Sequence, residues 1–373
     1  MRIRHLLSLA VLLLAAGPAR GQVITPQDLG TLGGLTNAVA ISDSGLVVGW
    51  SEIGPTPSPV HAIVWSEASG LVDIGTLGGL ESAATAVNED GQVVGWSLRA
   101  NGSHSAFIWT KADGMQDLCA ASQTCSATGI NSEGQVTGIL SLGGFTDHGF
   151  FWSPSTGVVD VGTLGGQSSQ MFAISKEGRV TGWAHDAQGM RRVASWTLKG
   201  GMIDHGAFGG SWSQGNHIKG DVIAGLSATP ANLWRPVVAF GTGAIQDLGT
   251  LGGDSAWASV ANSSGQVAGT SWRKYNVDRH AFRWEGGVMT DLGSLGGHSD
   301  ALAINEDGDV AGISVVDTGD ERGFFWSSAT GMLNLGTLGG NRSQAWSINN
   351  KRVIVGRARR ANGAEHAALW VVP

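Results

Sequence analysis

The chain has 373 residues, 42% of them hydrophobic and only 14% charged, with a formal net charge of −7. This is enough apolar material for a large core, and the acidic balance argues against nucleic acid as the main partner. Fifty-nine glycines without a three-residue period exclude a collagen-like fibre and indicate many tight turns between short strands.

The chain opens with Arg2 and Arg4, an apolar run from Leu6 to Ala16, and small residues at Ala19 and Gly21. The run is too short to span a bilayer, so residues 1–21 are expected to be a cleaved secretory signal, with the cut after Ala19 or Gly21. Its loss removes three arginines and no acid, taking the charge from −7 to −10. No later segment has the length and apolarity of a membrane span. A secreted protein, extracellular or periplasmic, is therefore expected.

From Asp28 onward one pattern dominates. Asp-Leu-Gly-Thr-Leu-Gly-Gly begins at Asp28 and recurs with small changes from Asp73, Asp160, Asp247, Asp291 and Asn334. Degenerate copies start at Asp117 and Asp204, so the eight copies stand 43 to 45 residues apart. Within a unit the second copy serves as the type. Ser82–Asn88 alternates small and apolar residues, Asn88-Glu89-Asp90-Gly91 is a hairpin turn, and Gln92–Ser97 and His104–Thr110 are rich in valine and aromatics. Met115–Leu118 is a fourth strand, and sustained helical periodicity is absent after residue 21.

Four antiparallel strands per unit of this length match a propeller blade, so the expected fold is all-β, an eight-bladed β-propeller over residues 22–373. An open β-solenoid is the alternative. The crowded axis calls for the small-residue strand innermost and the Asp-Leu-Gly strand outermost, with Thr-Leu-Gly-Gly crossing to the next blade. Residues 23–29 supply an outer strand ahead of the first inner one, and the last unit stops after its third strand at Trp370. The N-terminal strand is thus expected to complete the last blade and close the ring.

The third strands carry His-Ala-Phe-type patches at His61, His148, His280 and His366, alternating with the Asp-Leu-Gly word. This alternation resembles the HAF-repeat family of bacterial extracellular proteins over essentially residues 24–370. The resemblance implies a secreted bacterial repeat protein and brings no catalytic residues.

His61, His148 and His280 precede the acids Asp73, Asp160 and Asp291 by eleven or twelve residues, and His366 and Asp247 hold the same two positions in other units. Hydrogen bonding between neighbouring strands of one blade is the expected role, since a feature of nearly every unit answers what a unit needs to fold. A metal-binding ring of imidazoles is not expected, because third-strand residues lie too far from the axis to converge on one ion. The Asn-Glu-Asp-Gly turns lack the further ligands of a calcium loop, and Thr-Leu-Gly-Gly lacks the lysine of a phosphate loop. No cofactor is expected.

Cys119 and Cys125 replace part of the crossover of the third unit and are expected to form a disulfide, with a free or redox pair as the alternative. Of fifteen tryptophans, seven hold the closing position of the third strand and belong to the core. Trp212, Trp234, Trp257, Trp272 and Trp346 are less regular and are candidates for ligand stacking, and the fifth unit also places His217 and Lys219 on or beside the expected axial strand and Arg235 after Trp234. Trp212, His217, Lys219, Trp234 and Arg235 are the candidate binding residues. The expected function is non-catalytic binding of a glycan or protein through varied loops on one rim, by a monomer. A polysaccharide lyase or hydrolase at the channel mouth and a purely structural surface protein are the alternatives.

Overall fold

Residue alternation decides the blades. In the third strand of the second unit, His104–Thr110, Ala106 and Phe107 are fully buried, and across it Val93 and Val94 of the second strand are buried as well. Both faces of such a blade need cover, so blades must stack on one another. The computed structural model describes residues 24–373 and shows how they do so; the expected signal at 1–21 lies outside the described residues. Eight four-stranded antiparallel sheets follow one another around a ring as an eight-bladed β-propeller. Blade one comprises Thr36–Ile41, Val47–Glu52, Val60–Ser66 and Gly70–Asp73, in that spatial order. The core lies between blades: Val48, Ala62, Val64 and Ile74 of blade one pack with Ala84, Val93 and Phe107 of blade two.

The ring closes with strands from both ends of the described chain. Gln27 and Asp28 pair with Leu369 and Ala368 in the outermost position of blade eight. The strand is shorter than residues 23–29, although Leu29 N–H still donates to Ala367 O at 3.0 Å. The inner strands of blades two, four, six, seven and eight are longer than the alternation predicts: that of blade two runs Gly78–Val87. The crossover glycines permit this, since a Cβ on Gly79 would lie 2.5 Å from Cβ of Leu98.

Every inner strand carries a β-bulge against its neighbour. In blade two the register jumps between Ala84 and Ala86, leaving Thr85 unpaired. The same jump skips Val39, Thr128, Asn216, Leu302 and Trp346 in other blades. A glycine faces each bulge because the backbones touch there; a Cβ on Gly95 would sit 2.0 Å from Ala83 O. A bulge re-aims one side chain, and here it does so once per blade beside the axis.

Candidate functional site

Two rims follow from the strand order. One carries the crossovers and the loops between second and third strands; the other carries the turns between first and second strands.

The histidines and aspartates of the repeat meet on the crossover rim. Nδ1 of His61, His148 and His280 lies 2.8, 2.8 and 2.7 Å from the carboxylates of Asp73, Asp160 and Asp291. His366 makes the same contact at 2.8 Å with Asp28, across the closure. The aspartate's other task is local: its Oδ1 accepts the amide of the glycine two residues on, at 2.8 Å for Asp73, Asp160, Asp247 and Asp291. Burial alone would raise the Asp291 carboxyl, but the bonds from His280 and Gly293 outweigh it and hold it below the usual range. Asp247 has Arg235 Nε 3.8 Å away in place of a histidine.

Cys119 and Cys125 are joined by a disulfide. Cys125 Sγ accepts the Ala106 amide at 3.1 Å, the place held by Ser82 and Ser169 in neighbouring blades. Arg99 ties the substituted crossover down, donating to Asp117 at 2.6 Å, Gln123 O at 2.9 Å and Cys119 O at 3.0 Å.

The five candidate binding residues do not form one site. Trp212 and Trp234 pack edge to face at 4.6 Å on the crossover rim, beside Arg191, which lies over Trp183 at 3.9 Å. Arg235 donates to Asp254 O at 3.3 Å on the same rim. His217 and Lys219 stand towards the opposite end of the Ser213–Lys219 inner strand, and a strand of that length spans about 20 Å. Blade five thus divides its unusual residues between two ends of the ring.

His217 and Lys219 line the axial channel on the turn side, where a cavity of about 430 Å³ opens. A second space of about 370 Å³ shares Glu89, Lys219 and Glu306 with it, and the two together touch all eight blades. Burial, and then the Lys219 ammonium, push His217 down to about 4. Its Nδ1 accepts the Ala261 amide at 3.3 Å, so the ring is neutral with its proton on Nε2.

The channel wall has a feature that the sequence reading assigned only to turns. Asn88 donates to Asn131 O at 3.0 Å, and Asn131 to Ser175 O at 2.9 Å. Further round the ring Asn262 reaches Asn305 O at 3.1 Å and Asn349 reaches Ser42 O at 3.0 Å. These buried amides form a belt from blade to blade. Where blade one has Ser42, too short to reach, Glu89 reaches back to the Asp43 amide at 2.8 Å. In blade five the belt position is Lys219, whose ammonium lies 3.8 Å from Glu306 of blade seven.

The bulged residues sort by chemistry. Thr85, Thr128 and Asn216 donate to carbonyls of the next blade at 3.0, 3.0 and 2.8 Å. Val39, Leu302 and Trp346 have no such use and line the 430 Å³ cavity side by side on blades one, seven and eight. Above them stand Asp43, Glu89 and Glu306, while Lys176 and Lys219 stand on blades four and five. The mouth is acidic on the arc of blades seven, one and two, while the opposite arc carries Lys176 and Lys219 with Glu177 beside them; apolar residues lie beneath both arcs, Ile130 and Ile174 under the second.

One nucleophile–base pair is present that sequence spacing did not disclose. Ser195 Oγ lies 2.8 Å from His205 Nε2, and His205 Nδ1 donates to Gly243 O at 2.6 Å. Ser195 is fully buried and His205 is 1% exposed, so no substrate reaches them. The pair satisfies polar groups between blades four and five.

No family model matches the chain, and no curated protein matches it in sequence. Among solved structures, a puromycin hydrolase S511A mutant complexed with PGG is similar with a TM-score of 0.51 at 12% identity, covering 77% of this chain and 51% of that one. Puromycin hydrolase without that substitution gives 0.51 at 11% identity, with the same coverage. Pyrococcus horikoshii acylaminoacyl peptidase gives 0.50 at 9% identity, covering 91% of this chain and 58% of the other. The chain spans about half the length of these three structures. Identity this low carries the fold. The expectation of a non-catalytic binder of glycan or protein through loops on one rim, with its alternatives of a polysaccharide lyase or hydrolase and a structural surface protein, is corrected to this extent: the similar structures are puromycin hydrolases and an acylaminoacyl peptidase, and none of the three is named for binding glycan. The five candidates are moreover divided, Trp212, Trp234 and Arg235 lying on the crossover rim and His217 and Lys219 at the other end of the ring. No helix among the described residues is long and apolar enough to cross a membrane.

Proposed function

We propose that the protein serves peptide hydrolysis as a peptidase-type propeller that admits a peptide into its axial channel from the turn side. The observation that carries this reading is the mouth itself. Its two connected spaces of about 430 and 370 Å³ suit a few residues of extended chain and exclude a folded protein. Charges of both signs surround an apolar floor, which suits a chain with polar backbone and mixed side chains. The half-length coverage of the puromycin hydrolases and the acylaminoacyl peptidase fits a propeller acting with a separate hydrolytic unit, and the inaccessible Ser195–His205 pair is in keeping with chemistry done elsewhere.

The test is calorimetric titration of residues 22–373 with unstructured peptides of eight to twelve residues, with products followed by mass spectrometry. Saturable binding that is weakened in Glu306→Lys is the expected result. Peptides that fail to bind at millimolar concentration, or that bind equally to Glu306→Lys, would overturn the reading. We also propose that the chain is a secreted HAF-repeat protein, which the N-terminal sequence of the mature protein tests.

A further inference from the structure

The 430 Å³ cavity is asymmetric in a way that a general peptide channel does not require. Its carboxylates and its apolar bulge residues are on the same arc. Glu306 stands two residues after Ile304 and four after Leu302 on one strand and its turn, so the acid lies directly above the apolar wall of blade seven. Blade one repeats the arrangement with Val39 below Asp43. Blade eight sets Trp346 between them, the one indole lining the space.

The carboxylates are held in place. Glu89 accepts the Asp43 and Ser44 amides at 2.8 and 3.0 Å, and Glu306 accepts the Ser263 amide at 3.0 Å. A carboxylate has about four acceptor positions, so these bonds orient each group and leave capacity over. Lys219 is the one cation at the cavity, 3.8 Å from Glu306 with a side chain 56% exposed, and it can yield to a closer ammonium. Independently of the acids, the buried Nε1–H of Trp346 has no acceptor among the described residues.

We infer that this cavity selects the free N-terminus of a peptide whose first residue is apolar. The α-ammonium lies among Glu89, Glu306 and Asp43; the first side chain packs on Val39, Leu302 and Trp346. This rests on the peptide reading above and narrows it to one chain end and one class of residue.

The test compares Leu-Gly-Gly, N-acetyl-Leu-Gly-Gly and Gly-Gly-Gly by isothermal titration with the wild-type protein. Acetylation removes the charge, and glycine removes the side chain; each change is expected to weaken binding about ten-fold or more. Glu306→Gln keeps an acceptor for Ser263 and should weaken Leu-Gly-Gly about five-fold while leaving the acetylated peptide unaffected. Trp346→Ala should reduce the preference for leucine over glycine. Equal affinity for the free and acetylated peptides overturns the inference while the peptide reading stands. So does binding of the longer peptides with none of the tripeptides. If neither the longer peptides nor the tripeptides bind, the peptide reading falls and the inference with it. The acetyl comparison uses only wild-type protein, so a poorly folded variant cannot obscure the answer.

Discussion

Replacing Asn262 by alanine tests whether the asparagine belt holds the ring. Asn262 is 1% exposed and makes three hydrogen bonds: Oδ1 accepts the Gln266 amide at 3.0 Å, and Nδ2 donates to Gln266 Oε1 at 2.6 Å and Asn305 O at 3.1 Å. Alanine leaves the Gln266 amide without its side-chain acceptor, which costs about 1–3 kcal/mol. Asn305 O keeps the Gly308 amide at 3.1 Å, so its loss is smaller, about 1 kcal/mol. The total is about 2–4 kcal/mol. A folded chain of about 350 residues has an unfolding entropy near 0.7 kcal/mol/K at the midpoint, so Tm should fall by roughly 3–6 °C. The comparison is Ser175→Ala at the corresponding position of blade four, where the hydroxyl only accepts the Arg179 amide at 3.3 Å. That variant should lose under about 1 kcal/mol. Thermal unfolding followed by near-ultraviolet circular dichroism measures both. Equal shifts, or a shift below about 1 °C for Asn262→Ala, would show that the belt is incidental to ring stability.

Further outcomes follow from other groups. His217 is neutral in the fold and falls from the usual 6.5 to about 4, so the unfolded chain binds the extra proton between those values. Its contribution is complete above pH 6.5 and is lost as pH falls towards 4, by at most roughly 3 kcal/mol; burial lowers His205 also, with the same sign. Urea midpoints across pH 4–7 should slope accordingly, and His217→Gln should flatten the slope. Reducing the Cys119–Cys125 bond opens a short loop and should cost about 2 kcal/mol by urea titration. Cys125→Ser, which keeps an acceptor for Ala106, should lose less than Cys125→Ala. Arg99→Lys cannot hold Asp117 through two nitrogens while also reaching Gln123 and Cys119 carbonyls, and should cost about 2–4 kcal/mol in the same assay.

The fold was legible because each blade repeats the demands of every other. The small-residue strand must approach the axis, the valine strand must lie between neighbours, and the Asp-Leu-Gly strand must end in an Asx turn. Eight copies make these demands visible above the variation of any single unit. The unpaired third strand at the C-terminal side and the spare Asp28 strand near the start pointed to closure for the same reason. Strand ends were less legible: the extension of the inner strand to Gly78 depends on how closely Gly79 approaches Leu98, a contact between residues nineteen apart in the chain.

The site was hidden by the same repetition. Trp212 and Trp234 drew attention because blade five departs from the pattern, yet departure in one unit says nothing about which rim a residue occupies. Their neighbours Lys219 and His217 share the blade and lie at the other end of it. The bulge position recurs in every unit, at Val39, Thr85, Thr128, Asn216, Leu302 and Trp346 among others, and three of these, Val39, Leu302 and Trp346, form the apolar wall of the cavity. Trp346 stands out as one of the irregular tryptophans, but no single unit marks the others, because valine, threonine or leucine in a strand is ordinary. Their meaning lies in the order around the ring, where the polar ones bind the next blade and the apolar ones fall together on blades seven, eight and one. Asn88, read alone, is a turn residue; read with Asn131, Asn262, Asn305 and Asn349 it is part of a belt. A repeat protein therefore encodes its fold along the chain and its site across the copies. The second can be read only after the bulge has fixed which residue of each copy faces the axis.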